Sequence, residues 1–139
     1  MLKYLPLFFT FSLGALTLES PAFDDGGAIP SEYTCDGASL SPELIWTGIP
    51  MNTKAFALII TDTTIHKIHA SNLNISANKT SIPVGGINMF PICPPPGEKH
   101  SYTFVLYALD NTITESTELE QHTLATSTLT CSYQRKQAS

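Results

Sequence analysis

Positive charge is the scarcest thing in this sequence: seven of its 139 residues are Lys or Arg against twelve Asp or Glu, for a formal net charge of −5. Binding a phosphate backbone takes a stripe of cations that releases counterions, so nucleic acid is excluded as a natural partner. Low charge here does not mean disorder, because 42% of the residues are apolar and 14% charged, the balance of a chain that buries a core. A membrane-spanning run is missing as well. The uncharged stretch Tyr4 to Leu16 is about thirteen residues, against the roughly 20 a spanning helix needs, so no stable membrane insertion is expected. Cysteine is sparse and odd in number: Cys35, Cys93 and Cys131 allow at most one intrachain disulfide, in any of three pairings. No Gly-x-Ser-x-Gly elbow occurs, which removes a serine nucleophile of that type. No internal repeat or linker divides the chain, whose length suits one domain.

The Tyr4–Leu16 stretch follows a single Lys3 and offers small residues, Ser12 and Gly14, for cleavage after Gly14. It therefore reads as a secretory h-region. Residues 1–14 are expected to be a signal peptide that packs poorly on the rest, 15–139 to be one domain, and the protein to be periplasmic or secreted. The alternative is a cytoplasmic protein whose first strand or helix is apolar.

Turn residues cut the remainder into short apolar runs, the rhythm of a β-sandwich. Leu16 to Glu19 reads as a short strand followed by the turn Asp24-Asp25-Gly26-Gly27. Ala55 to Thr61 is apolar on both faces and reads as a buried strand ending at Asp62. Residues 76–99 carry Pro83, Gly85, Gly86, Pro91, the run Pro94-Pro95-Pro96 and Gly97, and read as a stiff functional loop. Tyr102 to Leu109 is a strand, Glu115 to Ala125 has helix-forming content, and Leu129 to Tyr133 can close the sheet.

Chemistry gathers around two histidines, His69 and His100, each at the start of an apolar strand. Alternation puts His100, Tyr102 and Phe104 on one face. Asp62 leaves its strand seven positions before His69, so antiparallel pairing brings those two to one sheet edge. If the His100 strand runs beside the His69 strand, Asp62, His69, His100 and Tyr102 converge. An aspartate there fixes an imidazole tautomer and raises its pKa, and imidazole and phenol donors hold a phosphate or sulfate oxygen. Repulsion by Asp62 favours a monoanionic phosphodiester. The three prolines lack amide donors, which leaves Ile92, Cys93 and Gly97 to supply backbone N–H groups, with the polyproline stretch as one rim. Cys93 precedes His100 by seven residues but is expected to be a buried inert thiol rather than a nucleophile. Trp46 reads as core, and His66 and His122 as surface.

These residues resemble the phosphatidylethanolamine-binding protein family, in its bacterial and archaeal Raf-kinase-inhibitor-like branch. The resemblance covers about residues 16–136 and rests on Ser20-Pro21-Ala22-Phe23, Ile29-Pro30, Tyr33-Thr34-Cys35-Asp36-Gly37, Ser41-Pro42, Trp46, Asn74-Ile75, Cys93-Pro94-Pro95, Tyr107-Ala108-Leu109-Asp110 and Tyr133-x-Arg135. It implies a mainly β fold, a β-sandwich with a few short peripheral helices, and a pocket for phosphate-bearing headgroups at one end of a sheet. By motif the family's Asp-Pro-Asp-Ala-Pro begins at Asp62, its first pocket histidine is His69, and its His-Arg-Tyr falls on His100-Ser101-Tyr102. Thr63-Thr64-Ile65-His66 replaces the rest of the Asp-rich motif, Ala70 a Trp, Ser101 an Arg, and Pro91-Ile92 a Gly-Pro. Losing the second Asp and the Arg is expected to loosen the network orienting the histidines.

The expected function is non-enzymatic binding of a phosphate-bearing small molecule or phospholipid headgroup, with Asp62, His69, His100, Tyr102, Ile92 and Cys93 as ligand-binding residues and no catalytic residue, metal or cofactor implied. Inhibition of a protein kinase or protease is an alternative that the family resemblance allows. A metal-dependent hydrolase using Asp62, His66, His69 and His100 has suitable donors, but on an extended strand His66 and His69 point to opposite faces.

Overall fold

Two strands with apolar residues on alternate positions organise the molecule. The computed structural model describes residues 14–138; the signal-peptide expectation falls, but for exposed Gly14, outside them. The strands are β1 (Thr17–Glu19), β2 (Gly27–Ala28), β3 (Leu44–Thr47), β4 (Ala55–Asp62), β5 (Lys67–Ser76), β6 (Ser81–Ile82), β7 (Lys99–Leu109) and β8 (Thr123–Gln134). They form a five-stranded sheet in the order β2-β8-β7-β4-β5 and a three-stranded sheet in the order β1-β3-β6. The mainly β architecture with short peripheral helices is the expected one.

On β4, Phe56, Leu58 and Ile60 face the main core, where they meet Phe104, Leu106 and Ala108 of β7, Leu129 and Cys131 of β8, and Leu18, Leu44, Trp46 and Ile82 of the smaller sheet. The odd positions Ala55 and Ala57 face a second cluster with Leu109, Ile113 and Leu119. This is why β4 is apolar from Ala55 to Ile60, as a strand covered on both faces must be. Trp46 belongs to the core, packed edge-on against Phe56. His66 is exposed in the β4–β5 turn, and His122 is partly covered against Asp110.

Three expectations need correction. Only Leu119–His122 of the Glu115–Ala125 segment is α-helical (α1), preceded by the 3-10 turn Ser116–Glu118, and the chain is a strand from Thr123 onward. Thr123, Thr126, Thr128 and Thr130 are β-branched, and their pairing along β7 outweighs the helix-forming residues before them. The final strand is accordingly longer than Leu129–Tyr133, and its far edge is covered by the two-residue parallel strand β2. Finally, Cys93 is no free thiol: it is bridged to Cys35, and Cys131 is the free, buried cysteine. Burial pushes the Cys131 thiol up to about 12.

The bridge ties the segment after the 3-10 turn Ser31–Tyr33 to the long loop before β7, and Cys35 N–H also donates to the Ile92 carbonyl at 3.1 Å. Gly37 is required beside it, because a Cβ there would stand 2.5 Å from Glu32 Cα. Cys35 and Cys93 are 58 residues apart, so the crosslink removes much freedom from the unfolded chain. Replacing both (Cys35→Ser with Cys93→Ser) should lower the unfolding free energy by about 2–4 kcal/mol. The measurement is the denaturant midpoint; an unchanged midpoint would contradict this assignment.

Candidate ligand-binding recess

The inner-face parity of β4 and β7 runs out into polar residues at one end of the sheet. Phe56, Leu58 and Ile60 are succeeded by Asp62, while Phe104 is preceded by Tyr102 and His100, all of them buried. Antiparallel register sets Asp62 directly opposite Tyr102. The sheet order differs from the one assumed in the sequence reading: β4 lies between the His69 and His100 strands, so these are not neighbours. Convergence comes about differently. Ile60 pairs with Ala70 and Thr61 with Ile68, which leaves His69 as the extra residue of a β-bulge. A bulge breaks strict alternation, and the two consecutive residues His69 and Ala70 are both buried.

Asp62, His69, His100 and Tyr102 thus line one recess of about 440 Å³, completed by Cys35, Ile65, Lys67, Phe90, Pro91, Cys93 and Pro95. Of the polyproline stretch expected as one rim, Pro95 is among the lining residues, joined by Pro91, whereas Pro96 faces a separate cavity beside Tyr133 and Arg135. Ile92 is not among the lining residues. Its side chain is fully buried in the core and its carbonyl is occupied by Cys35.

The buried Asp62 carboxylate is fully used. Oδ1 accepts from the Thr64 and Ile65 N–H groups at 3.0 and 3.2 Å, and Oδ2 accepts from His100 Nδ1 at 2.6 Å. His100 Nε2 donates to Glu98 Oε1 at 3.0 Å. Ionised carboxylates only accept, so both ring nitrogens must carry protons and His100 is an imidazolium. Burial opposes that charge, but the hydrogen bonds to Glu98 and Asp62 outweigh it and leave the His100 pKa raised.

His69 is held differently. Its Nδ1 donates to the Phe90 carbonyl at 3.0 Å, and Phe90 N–H returns a bond to the His69 carbonyl at 2.9 Å. The neutral tautomer therefore carries its proton on Nδ1 and a lone pair on Nε2, which has no protein partner among the described residues. Its ring lies edge-on to Tyr102, with centroids 5.6 Å apart. The Tyr102 hydroxyl is buried and also has no hydrogen-bond partner among the described residues. Burial, reinforced by the Asp62 charge, pushes its pKa up and keeps it neutral. Lys67 places its ammonium 4.7 Å from the centre of the exposed Phe90 ring.

The Thr63–His66 turn, with His66 at φ 57°, is tied to β7 by backbone and hydroxyl bonds. Thr64 Oγ1 accepts from Ser101 N–H at 2.9 Å, and Thr63 donates to the Ser101 carbonyl from both its N–H (2.9 Å) and its hydroxyl (3.1 Å). Hydroxyls and backbone thus hold the turn to β7. Among the described residues no three His, Cys, Asp or Glu side chains are grouped to hold a metal ion. Lys67, Glu98 and Phe90 escaped the sequence reading. For Glu98 the signal existed, since the parity joining His100 and Tyr102 extends back to it; for Phe90 and Lys67 no pattern in the loop or turn announced the contact.

Comparison with known proteins agrees with this fold. The family model described as phosphatidylethanolamine-binding protein matches residues 19–134. A UPF0098 protein of Methanothermobacter thermautotrophicus is 35% identical over 120 residues, covering 70% of this chain and 79% of its own. One from Chlamydia muridarum is 32% identical over 149, covering 86% and 99%. A crystal structure of a phosphatidylethanolamine-binding protein homolog from Chlamydia trachomatis superposes with a TM-score of 0.77 at 27% identity, covering 88% of this chain and 99% of that one. Escherichia coli YbcL, described as a member of the mammalian family, also gives 0.77 at 24% identity, covering 88% and 100%, a likeness that bears on the fold.

The raised His100 pKa carries a stability signature. A histidine with a folded pKa above its reference value of 6.5 stabilises fully below that pH, and its contribution is lost as pH rises through the raised value. Urea unfolding from about pH 6 to 8.5 should show stability falling with pH, and the slope should shrink in Asp62→Asn. A flat wild-type profile would count against the imidazolium.

Proposed function

This chain belongs to the phosphatidylethanolamine-binding protein family, and from that premise we propose that its recess binds, without transforming it, a phosphate-bearing small molecule or phospholipid headgroup. The observation that carries the reading is the pair of uncommitted polar groups in one recess, the buried Tyr102 hydroxyl and His69 Nε2. A buried hydroxyl without a partner costs about 1–3 kcal/mol, a cost that a ligand oxygen accepting from it removes. Lys67 adds a cation at the same opening.

The state of the other groups supports binding rather than catalysis. With both nitrogens donated, His100 has no lone pair with which to act as a base. Cys93 is in a disulfide and Cys131 is a buried thiol, so neither is an activated nucleophile. The disulfide also supports a location in the periplasm or outside the cell, where such bridges persist, in keeping with the apolar N-terminal stretch.

His69 offers a lone pair at Nε2, which accepts from a ligand hydroxyl or ammonium while the Tyr102 hydroxyl donates to a phosphate oxygen. Asp62 is bonded to His100 and the Phe90 carbonyl to His69. Calorimetric titration with O-phosphoethanolamine tests this reading. His69→Ala and Tyr102→Phe should each weaken binding by about 1–3 kcal/mol. Saturable binding unaffected by both substitutions would remove the site.

A further inference from the structure

Glu98 is the exposed carboxylate of the polar cluster. Its backbone is pinned, with its N–H donating to the Pro95 carbonyl at 3.0 Å and its carbonyl accepting from Arg135 N–H at 3.0 Å. Gly97, at φ 86°, makes the turn that permits this. The side chain is 57% exposed, whereas the His100 and Asp62 side chains that it joins are 4% and 2% exposed. A half-solvated carboxylate therefore reaches inward to the only ring nitrogen of His100 that Asp62 leaves open.

That arrangement has a consequence for any anion entering the recess. The charges around His100 are balanced against one another: Asp62 holds Nδ1 from inside, Glu98 holds Nε2 from the solvent side, and Lys67 is the remaining cation. We propose that Glu98 is a built-in competitor, an internal anion that occupies the Nε2 donor of His100 and must swing out before a phosphate oxygen can take its place. The inference rests on the phosphate-binding reading of the recess and names the residue that sets its threshold. Rotation of the side chain alone suffices, since the backbone bonds of Glu98 run to Pro95 and Arg135 and not to His100. Displacement leaves the imidazolium and Lys67 facing the ligand while Asp62 stays with Nδ1, so the recess gains one net positive charge when the latch opens. A ligand lacking strong negative charge cannot drive that exchange, because it offers His100 less than the carboxylate it replaces.

Two measurements on the full chain test the assignment. O-phosphoethanolamine is titrated into wild type, Glu98→Ala and Glu98→Gln, and the His100 ring is followed across pH by NMR in the unliganded proteins. Removal of the competitor should tighten binding roughly five- to tenfold in Glu98→Ala, the range between an exposed pair and a buried charged bond. Glu98→Gln, which keeps an acceptor but no charge, should fall between. In the same variants His100 should titrate at lower pH than in wild type, a change that a merely structural role for Glu98 would not produce. Equal affinity in wild type and Glu98→Ala overturns the competitor role while leaving the phosphate-binding function standing. Weaker binding in Glu98→Ala also overturns it, by making Glu98 a ligand contact. Absence of saturable binding in all three proteins removes the binding function, and the competitor with it, even if the His100 titration shifts. Binding seen only in the Glu98 variants supports both.

Discussion

The Asp62 carboxylate is the constraint on which the end of the fold depends. It is 2% exposed, and a carboxylate so far from water is tolerated only when each oxygen is paired. One oxygen closes the turn into β5 through two backbone N–H groups, and the other meets a protonated ring on β7. A single side chain thereby fixes where β4 stops, how the chain reverses and which way His100 faces. Its position follows from the core, because the parity that buries Phe56, Leu58 and Ile60 carries the next inward residue to the sheet end. Buried pairs of this kind contribute little net stability against an apolar alternative. What Asp62 contributes is geometry.

Two further devices bring the remaining groups in. The bulge in β5 breaks alternation for one residue, so His69 turns inward beside Ala70 without Asp62 or Tyr102 moving. The Cys35–Cys93 bridge then draws the proline-rich loop against the sheet end, and the reciprocal bonds between Phe90 and His69 continue that loop along the outer edge of β5. Because this loop supplies both the acceptor that fixes the His69 tautomer and the ring beneath Lys67, the state of the site is set from outside the sheet as much as from within it.

Much of this was legible in the residues. The two-sided apolarity of Ala55–Thr61 identified a central strand, and the parity of His100, Tyr102 and Phe104 placed three side chains on one face. Convergence of Asp62, His69, His100 and Tyr102 came from combining that parity with the family's motif order. Strand order was not legible, because parity says which face a residue takes and nothing about which strand lies beside it. A bulge is invisible for a related reason: Ile68-His69-Ala70 has the same composition whether or not a residue is left over in the pairing. The disulfide needed a distance, since three pairings were equal on the page, and the short extent of α1 reflects β7 recruiting a threonine-rich segment whose first residues alone prefer a helix. Local preference lost there to cross-strand pairing.

The substitutions at Thr64 and Ser101 illustrate how such a site tolerates change. Replacing an acid and a guanidinium by hydroxyls would be costly if the turn depended on their charges, yet Thr63 and Thr64 reach the β7 backbone at Ser101 directly. Hydrogen bonds to main chain do not require a partner side chain of opposite charge, so the turn keeps its shape while the local charge changes. The carboxylate at His100 Nε2 is supplied by Glu98. The imidazolium is thus doubly paired, with Asp62 bound into the turn and the second carboxylate on a half-exposed side chain. A contact made by a side chain free to rotate can be exchanged for a ligand; one made from within the turn could not be exchanged without unfolding it.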